Sequence, residues 1–447
     1  MLRSLSDAEL IARYDGRVPR YTSYPTAPHF GAGIDATVYG QWLESLPVAA
    51  PLSLYLHVPF CDRLCLYCGC NTSVVRNEAP KRGYARHLRE EIDMVANRLG
   101  RRSTVTHVHW GGGTPTSLPA DCLTAIMEHL RRRFAVAPGA ELAMELDPSR
   151  LDEHALDALR LMGVNRASLG VQDFDPKVQE AIGRLQSFAE TRDAAARLRQ
   201  LGISSLNLDL IYGLPFQTEE SVARTARLAL QLGAERISVF GYAHVPWMKK
   251  HQALIQDDTL PDAGARFAQT SIIRRILVEE GGYVPVGLDH FALPHDAMAQ
   301  AVQSGALHRG FQGYTTDAAP VLIGLGASAI GALPQGYVQN QTGIAAYNAA
   351  IARGDLAIAR GVALSDDDRL RRSVIETVMC DLAATIPPAL REETGALTQF
   401  AEDGLVTWDG TRLTVTERGR PFVRNVAALF DRYLRQPPTA PRHSAAV

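Results

Sequence analysis

Four cysteines fall within the ten positions 61–70, in the run HVPFCDRLCLYCGC. Cys61, Cys65 and Cys68 form a C-x3-C-x2-C pattern, and Cys70 follows two residues later. Three thiolates on one short loop can bind three irons of a 4Fe-4S cube, which leaves the fourth iron without a protein ligand. A small molecule bound at that open iron can accept an electron. The spacing therefore indicates a redox-active cluster site.

A structural zinc site and a disulfide framework are the alternatives. Zinc sites usually pair two distant Cys-x-x-Cys knuckles, and the sequence has no second knuckle. The chain has only six cysteines in 447 residues, with no signal peptide and no run of about 18 or more apolar residues. This pattern favours a reducing cytosol and a metal site over disulfides. Metal analysis would separate the cluster, with iron and sulfide, from zinc.

Three glycines, Gly111-Gly112-Gly113, precede Thr114 and follow the strand-like run VTHVHW. Without a Cβ atom, the backbone can come close to a ligand. A glycine run alone is more often a tight turn. Here the glycine run ends the second predicted strand, and the cysteine loop follows the first. This combination indicates a ligand site.

Polar residues also occur where predicted strands end. Glu145 ends the third strand, Gln172 ends the fourth, and Asp209 lies inside the apolar run LNLDLIYGL. A carboxylate among leucines costs several kcal/mol unless it is paired, hydrogen-bonded or placed at a site. Glu145 and Asp209 suit ribose hydroxyls or an ammonium group, and Arg184 suits a carboxylate. Structural ion pairs inside the sheet are the alternative for each of them.

Strand-like and helix-like segments alternate along the first half of the chain. Six β-then-α units in a row predict parallel strands with right-handed crossovers, in an open sheet or a full or partial barrel. In such folds, sites form at the carboxyl ends of the strands, where each motif above lies. The predicted strands are 52–58, 105–112, 140–148, 166–174, 204–214 and 235–245, and the predicted helices lie near 79–99, 119–134, 152–162, 187–201 and 218–232.

The pattern weakens after residue 250 and changes near residue 365. Residues 281–292 look extended, and the Gly/Ala-rich run 321–333 follows. From about 365 the sequence predicts a helix with an acidic first turn, then a helix, a hairpin turning at Asp409-Gly410, and another helix. This layout suggests a winged-helix-like unit. It has no basic stripe, so packing or covering is favoured over reading DNA.

The composition is that of an ordinary globular enzyme of two or three domains, with 46% hydrophobic and 21% charged residues. A net charge of -2 gives no electrostatic footprint for nucleic acid or an anionic membrane. We expect no nucleic-acid partner, no membrane, a cytoplasmic location and a monomer. The Pro/Ala-rich tail is expected to be disordered.

Long motifs recur in order along the chain: RYTSYPT (20–26), the cysteine loop with Cys70, GGGTPTSL (111–118), GVQDF (170–174), NLDLIYGLP (207–215), SVFGYAHVP (238–246), DHFALP (289–294) and LHRGFQGYTT (307–316). The cysteine spacing resembles that of radical S-adenosylmethionine (SAM) enzymes. Over essentially its whole length, the chain resembles one family of them, the oxygen-independent coproporphyrinogen III dehydrogenases (oxidases).

The resemblance implies an α/β fold, a partial TIM-like radical SAM barrel with an N-terminal extension and a C-terminal helical, winged-helix-like domain. The implied segments are a substrate-covering 1–50, the barrel 51–290, a barrel-completing 291–360, the C-terminal domain 361–435 and a disordered tail 436–447.

The resemblance also implies the site residues. Cys61, Cys65 and Cys68 would ligate one 4Fe-4S cluster, and Cys70 would not. Two SAM molecules would bind side by side. Residues matching contacts to the first are Tyr55, Gly112, Glu145 and Ile330; those matching contacts to the second are Tyr67, Gly113, Thr114, Gln172, Arg184, Asp209 and Ala243.

The implied reaction converts two propionates of coproporphyrinogen III to vinyl groups, giving protoporphyrinogen IX by hydrogen abstraction with a 5′-deoxyadenosyl radical. It needs an electron donor, such as flavodoxin or ferredoxin, and an electron acceptor that the sequence does not identify. Arg20 and Arg309 are our candidates for binding substrate carboxylates. A similar haem-binding chaperone is the alternative; it generally lacks RYTSYPT and the fourth cysteine.

Overall fold

The apolar run Leu52–Val58 forms a strand at the centre of the largest sheet. The computed structural model describes residues 5–435, so the predicted tail 436–447 lies outside the described residues. In chain order the strands are β1 Leu52–Val58, β2 Phe60–Cys61, β3 Ser73–Val74, β4 Thr104–Gly112, β5 Ala135–Leu146, β6 Arg166–Gln172, β7 Ser205–Tyr212, β8 Arg236–Gly241, β9 Val284–Val286, β10 His290–Ala292, β11 His308–Gly310, β12 Gly313–Thr315, β13 Val321–Leu325, β14 Ile330–Leu333, β15 Gly336–Asn340, β16 Ile358–Ala363, β17 Ala383–Thr385, β18 Val406–Trp408 and β19 Arg412–Val415.

Seven strands of this sheet are parallel, in the spatial order β13-β1-β4-β5-β6-β7-β8. The six β-then-α units predicted from the sequence supply β1 and β4 to β8. The seventh strand, β13, comes from the Gly/Ala-rich run and pairs with the other side of β1. Antiparallel strands β14 to β16 extend one edge, and β10 and β9 extend the other. In the described part of the chain, β16 and β9 do not pair with each other, so the barrel stays open.

The crossover helices lie close to their predicted positions because capping residues fix where they begin. Asn77, Asp152, Ser187 and Thr218 each accept a hydrogen bond from a backbone N–H of the first turn. The α-helices are α1 Asp7–Tyr14, α2 Ala36–Glu44, α3 Glu78–Leu99, α4 Ala120–Arg133, α5 Glu153–Met162, α6 Pro176–Ala181, α7 Phe188–Gln200, α8 Glu219–Gln231, α9 Ala263–Arg275, α10 Ala297–Ser304, α11 Ile344–Ala352, α12 Asp366–Asp381, α13 Leu397–Glu402 and α14 Val423–Ala428. Within residues 5–435, no helix combines the length and the apolar character needed to cross a bilayer.

The predicted strand ends differ from the structure by up to five residues. Strand β5 begins at Ala135 rather than 140, because it pairs with β4 on both sides of a register shift. Strand β6 ends at Gln172 rather than 174, because Gln172 has a left-handed φ of 69°. Strand β8 ends at Gly241, before the irregular run that carries Ala243. Strands β5, β6 and β8 thus each end within two residues of a predicted site residue: Glu145, Gln172 and Ala243 respectively.

The main core lies between the outer face of the sheet and its helices, whereas the inner face carries many polar side chains. A second core joins the two ends of the chain: Leu10, Tyr14 and Tyr24 pack with Val378 and Phe422, among others. In the C-terminal region, β18 and β19 form the predicted hairpin and β17 completes a three-stranded antiparallel sheet. The predicted helix with an acidic first turn is α12, capped by Ser365 and Asp368. The proposed domain boundaries remain predictions.

Candidate active site

The cysteine loop follows β1 at the carboxyl end of the barrel strands. Strand β2 pairs with β3, so Cys61 lies beside Val74 and the loop between them is closed at its base. A turn brings the N–H of Cys68 to the carbonyl of Cys65, at 3.1 Å. Short-range pairing therefore gathers the three predicted ligands on one loop.

Each predicted ligand sulfur has a nearby hydrogen-bond donor. The Thr72 hydroxyl donates to Cys61 Sγ at 3.1 Å, Arg184 Nη1 lies 3.8 Å from Cys65 Sγ, and the Cys70 N–H donates to Cys68 Sγ at 3.4 Å. The hydrogen bond between the thiols of Cys70 and Cys68 lowers the pKa of Cys68 to about 6. Burial raises the pKa of Cys61, against the Thr72 hydrogen bond. Donors of this kind stabilise and tune iron-bound thiolates, so the loop fits a cluster.

The thiols are not arranged for a single metal ion. Among residues 5–435, no three His, Cys, Asp or Glu side chains converge on one point that an ion could occupy. A cube differs because each thiolate binds a separate iron. Cys70 is exposed at the edge of the loop.

The glycine run lies against the cysteine loop. A Cβ on Gly113 would lie 2.5 Å from the carbonyl oxygen of Phe60 and 2.6 Å from the Thr72 hydroxyl. Gly112 has a φ of 115°, and a Cβ there would lie 2.7 Å from the His57 ring. The run therefore allows the end of β4 to approach the loop that carries Cys61, which no other residue type permits.

Glu145 lies beside the glycine run, where β5 ends. Its carboxylate accepts hydrogen bonds from the Gly112 N–H and from His109 Nε2, both at 3.2 Å. Burial would raise the pKa of Glu145, but the bond and charge of His109 lower it below its usual value. The half-buried carboxylate is therefore held ionised and fixed at the strand end.

His57 and His109 belong to this site, although the sequence reasoning missed both. Tyr55 pairs in register with His109 across β1 and β4, and their rings stack with centroids 5.8 Å apart. The Tyr55 hydroxyl lies 3.1 Å from His57 Nδ1, and His57 Nε2 lies 3.0 Å from the Asn71 carbonyl. The signal was available, because His57 is two residues after Tyr55 and so shares its face of the strand.

Asp209 belongs to a polar ladder on the inner face of β6, β7 and β8. Its carboxylate accepts hydrogen bonds from Ser168 Oγ and Asn207 Nδ2, both at 2.8 Å, and Ser238 Oγ donates to Asn207 Oδ1 at 3.1 Å. Burial raises the pKa of Asp209 above its usual value despite these bonds. Alternate residues of a strand point to the same face of the sheet, so polar residues on three parallel strands form this ladder.

Arg184 links the cysteine loop to β6. Its guanidinium donates to the Gly170 carbonyl at 2.8 Å and lies 3.4 Å from Asp147 through one nitrogen. Burial lowers the pKa of this group, but Tyr67, Asp147 and Cys65 together raise it, so Arg184 is a permanent cation. Tyr67 packs against a small apolar cluster that contains Ile182 and Leu214.

A cavity of about 510 Å³ runs along the inner face of the sheet. Glu145, Asp209 and Arg309 line it, as do Tyr21 to Tyr24 from the N-terminal motif. Arg20 does not line it, since its guanidinium donates to the Gly241 carbonyl at 2.6 Å. Ile330 lies at the start of β14, and Ala332 of the same strand lines the cavity. The structure thus groups the cysteine loop, the glycine run and the inner carboxylates at one end of the barrel, with the cavity beside them.

Comparison with known proteins gives two family matches. Residues 55–229 match the radical SAM superfamily, and residues 364–422 match the HemN C-terminal domain.

Full-length relatives are also similar to the chain. An oxygen-independent coproporphyrinogen III oxidase of Bradyrhizobium diazoefficiens is 50% identical, with 98% of this chain and 100% of the relative covered. A protein of the same name from Paracoccus denitrificans is 42% identical over 99% of both chains. Among solved structures, coproporphyrinogen III oxidase (HemN) from Escherichia coli, described as a radical SAM enzyme, superposes with a TM-score of 0.89 at 37% identity, covering 96% of this chain and 100% of that one.

Proposed function

The chain belongs to the oxygen-independent coproporphyrinogen III oxidases of the radical SAM superfamily, and on this premise we propose that it oxidatively decarboxylates two propionates of coproporphyrinogen III to vinyl groups. The product is protoporphyrinogen IX, a precursor of haem. The relatives carry the name of the oxidase, which favours this function over a haem-binding chaperone. The observation that carries the proposal is the shared location of the cysteine loop, the glycine run and a lined cavity.

Cys61, Cys65 and Cys68 are the proposed ligands of the 4Fe-4S cluster. Their hydrogen-bond donors, together with the approach of Gly113, support this assignment. When bound, the cluster and SAM supply the one-electron chemistry by which each propionate loses a hydrogen atom, carbon dioxide and one electron.

The binding of two SAM molecules remains our proposal. For the first, Glu145 and Tyr55 offer an ionised carboxylate and a ring on neighbouring strands, with Gly112 and Ile330 beside them. For the second, Arg184 offers a cation and Asp209 an acceptor for hydroxyl groups. The other proposed contacts to the second molecule are Tyr67, Gly113, Thr114, Gln172 and Ala243.

The protein's own residues orient and enclose these partners. His109 and the Gly112 N–H hold Glu145 in one position, and Ser168 and Asn207 do the same for Asp209. Tyr21 and Tyr24, anchored in the C-terminal core, form part of the cavity wall on the side of the N-terminal segment. Arg309 faces the substrate, and Arg20 supports it through its backbone carbonyl. We further propose a monomeric, cytoplasmic enzyme that takes electrons from flavodoxin or ferredoxin.

An anaerobic turnover assay tests the function. The protein is reconstituted with iron and sulfide and supplied with SAM, a reductant and coproporphyrinogen III, and the products are followed by mass. We expect two successive losses of carbon dioxide with formation of 5′-deoxyadenosine. Cys65→Ala should abolish both, whereas Cys122→Ala, a half-buried thiol on α4 outside the site, should not. A protein that holds haem and forms no vinyl product would refute the proposal.

A further inference from the structure

Four arginines from separate parts of the chain meet beside the cavity, and we propose that one of them, Arg309, binds a propionate carboxylate of the tetrapyrrole, with the positive charge of the other three nearby. The four are Arg20 of the N-terminal segment, Arg266 of α9, Arg309 of β11 and Arg424 of α14, here called the arginine cluster. The inference rests on the proposed function and adds the group of the substrate that this region recognises.

The cluster is assembled around Gly241, at the carboxyl end of β8. Arg20 Nη2 donates to the Gly241 carbonyl at 2.6 Å. A Cβ on Gly241 would lie 3.1 Å from Arg266 Nη2, and a Cβ on Gly213 would lie 2.1 Å from Arg266 Nη1. Both glycines therefore make room for the Arg266 guanidinium, so that two cations flank one strand end.

Arg309 joins the cluster to the cavity. Its Nε and Nη2 donate to the Arg20 carbonyl at 3.2 and 3.0 Å, and its guanidinium lies over the Tyr314 ring at 4.3 Å. Its side chain is only 3% exposed. Within residues 5–435, its Nη1 makes no hydrogen bond, and Arg309 lines the cavity. A buried cationic donor without an acceptor is costly, and a carboxylate in the cavity would supply the acceptor.

One carboxylate, Asp289, serves several members of the cluster. It lies 3.9 Å from Arg309 Nη1, beyond hydrogen-bond distance, and 2.7 Å from His290 Nδ1. Burial would raise its pKa, but Arg309, His290 and Arg20 hold it far below its usual value. Burial, together with repulsion by Arg20, lowers the pKa of Arg424 to about 10. Arg20 and Arg309 therefore both act on the one carboxylate of Asp289, and Arg309 keeps an unbonded Nη1 for an anion in the cavity.

The backbone next to Arg20 is shaped to keep this arrangement. Tyr21 has a left-handed φ of 46°, which costs free energy in a residue with a Cβ. The Tyr21 hydroxyl donates to Asp431 at 3.0 Å, which holds the residue against the C-terminal core while it lines the cavity. The strained turn directs the Arg20 carbonyl to Arg309.

The carboxylate of SAM is the alternative source of the anion, because Gly241 lies two residues before Ala243. The cavity-lining position of Arg309 favours the substrate. The two sources are separated by measuring affinities for coproporphyrin III, the fluorescent tetracarboxylate porphyrin, and for SAM on reconstituted protein. The variants are Arg309→Gln and Arg266→Gln, with Arg227→Gln as control, since Arg227 pairs with Glu280 on the surface.

We expect the Kd for coproporphyrin III to rise about tenfold in Arg309→Gln, which loses one charge-assisted hydrogen bond. In Arg266→Gln, which removes a nearby charge, the Kd should rise by a smaller factor. The Kd for SAM and the control variant should not change. Unchanged porphyrin affinity, or a loss confined to SAM, would overturn the proposal.

Asp289→Asn provides a test that misfolding cannot imitate. Removing the competing carboxylate should lower the Kd for coproporphyrin III several-fold, whereas misfolding could only raise it. A Kd that stays the same or rises in this variant counts against the anion site. If the wild type forms vinyl product but the variants bind porphyrin with unchanged affinity, only the anion site is refuted. If the wild type forms no vinyl product, the proposed function itself is refuted.

Discussion

Of the three glycines in the run 111–113, Gly113 has the least room for a Cβ atom. The position that a Cβ would take lies 2.5 Å from a backbone oxygen and 2.6 Å from the hydroxyl that donates to Cys61. Backbone contacts this short cannot be relieved by turning a side chain. A substitution here must move the loop that carries the proposed iron ligands.

We therefore expect Gly113→Ala to lose most of the iron and sulfide of reconstituted protein, measured by metal analysis and the visible absorption of the cluster. Gly69→Ala is the matched control. Gly69 lies inside the cysteine loop, and a Cβ there would meet no atom within 4 Å. Equal cluster content in the two variants would show that the close approach is not needed.

The types of the main site residues could be predicted because each is local in sequence. The cysteine spacing, the glycine run and the carboxylates of Glu145 and Asp209 are visible in short segments. Their partners are not. Asp289 and Arg309 lie 3.9 Å apart although 20 residues separate them in sequence, and no periodicity relates the two.

Helix α3 is tied to the far edge of the sheet by one buried carboxylate. Glu91 accepts hydrogen bonds from the Gly326 N–H and Asn340 Nδ2 at 2.6 Å, and from the Tyr347 hydroxyl at 2.7 Å. These donors come from the loop after β13, from β15 and from α11. The contact therefore fixes the antiparallel extension of the sheet on the helix.

Glu91→Ala should lower the free energy of unfolding by about 3 kcal/mol, because it leaves buried donors without an acceptor. Glu90→Ala is the control. Its carboxylate lies on the exposed side of α3 and pairs with Arg86 at 3.6 Å, so its removal should cost less than about 0.5 kcal/mol. Urea denaturation of both variants measures the difference, and similar costs would contradict the prediction.

The same carboxylate predicts a pH dependence of stability. Burial raises the pKa of Glu91 to about 7, against the three hydrogen bonds. Between about pH 4.5 and 7 the folded protein then holds a proton that the unfolded chain has lost. The contribution of Glu91 to the free energy of unfolding is therefore fully present below about pH 4.5. It falls by up to about 3 kcal/mol as the pH rises to about 7.

Glu91→Gln lacks this titration. Tyr39, Tyr84 and Tyr347, the titratable neighbours of Glu91, have raised pKa values and stay neutral in this range. Urea denaturation at pH 5, 6 and 7.5 gives the free energy of unfolding of the wild type and of Glu91→Gln. We expect the wild type to lose stability relative to Glu91→Gln as the pH rises. Parallel profiles would show that Glu91 has an ordinary pKa.

The two ends of the chain form one unit. Arg13 binds Asp403 through two hydrogen bonds of 2.8 and 2.9 Å, and the Tyr14 hydroxyl donates to the same carboxylate at 2.6 Å. Leu10 is fully buried in the core that contains Phe422 and Val426. The C-terminal unit therefore depends on a helix at the opposite end of the sequence.

Leu10→Ala should weaken this shared core by about 3 kcal/mol, the usual cost of a cavity left by a buried leucine. We expect faster amide hydrogen exchange in α14 with little change in the barrel strands. Leu161→Ala is the control, because that side chain is 61% exposed on α5. Unchanged exchange in α14 would mean that the two ends are stabilised independently.

The architecture was predictable as far as neighbouring elements determine it. Six strands and five crossover helices follow from alternating patterns and capping residues, and the hairpin follows from Asp409-Gly410. Strand β13 was not recognised as the seventh parallel strand, because its partner β1 lies far away in sequence and its glycines weaken the strand pattern. The packing of α1 on the C-terminal core likewise has no local signal.

The shared core also sets an order of events during protein synthesis. Tyr21 and Tyr24 leave the ribosome before the barrel strands, yet the core that holds them beside the cavity is completed by residues made after the barrel, such as Phe430. The barrel strands and the cysteine loop are made in between and can fold before that core exists. The nascent chain thus offers an interval in which iron and sulfide can reach the loop, before the C-terminal core completes the wall of the cavity.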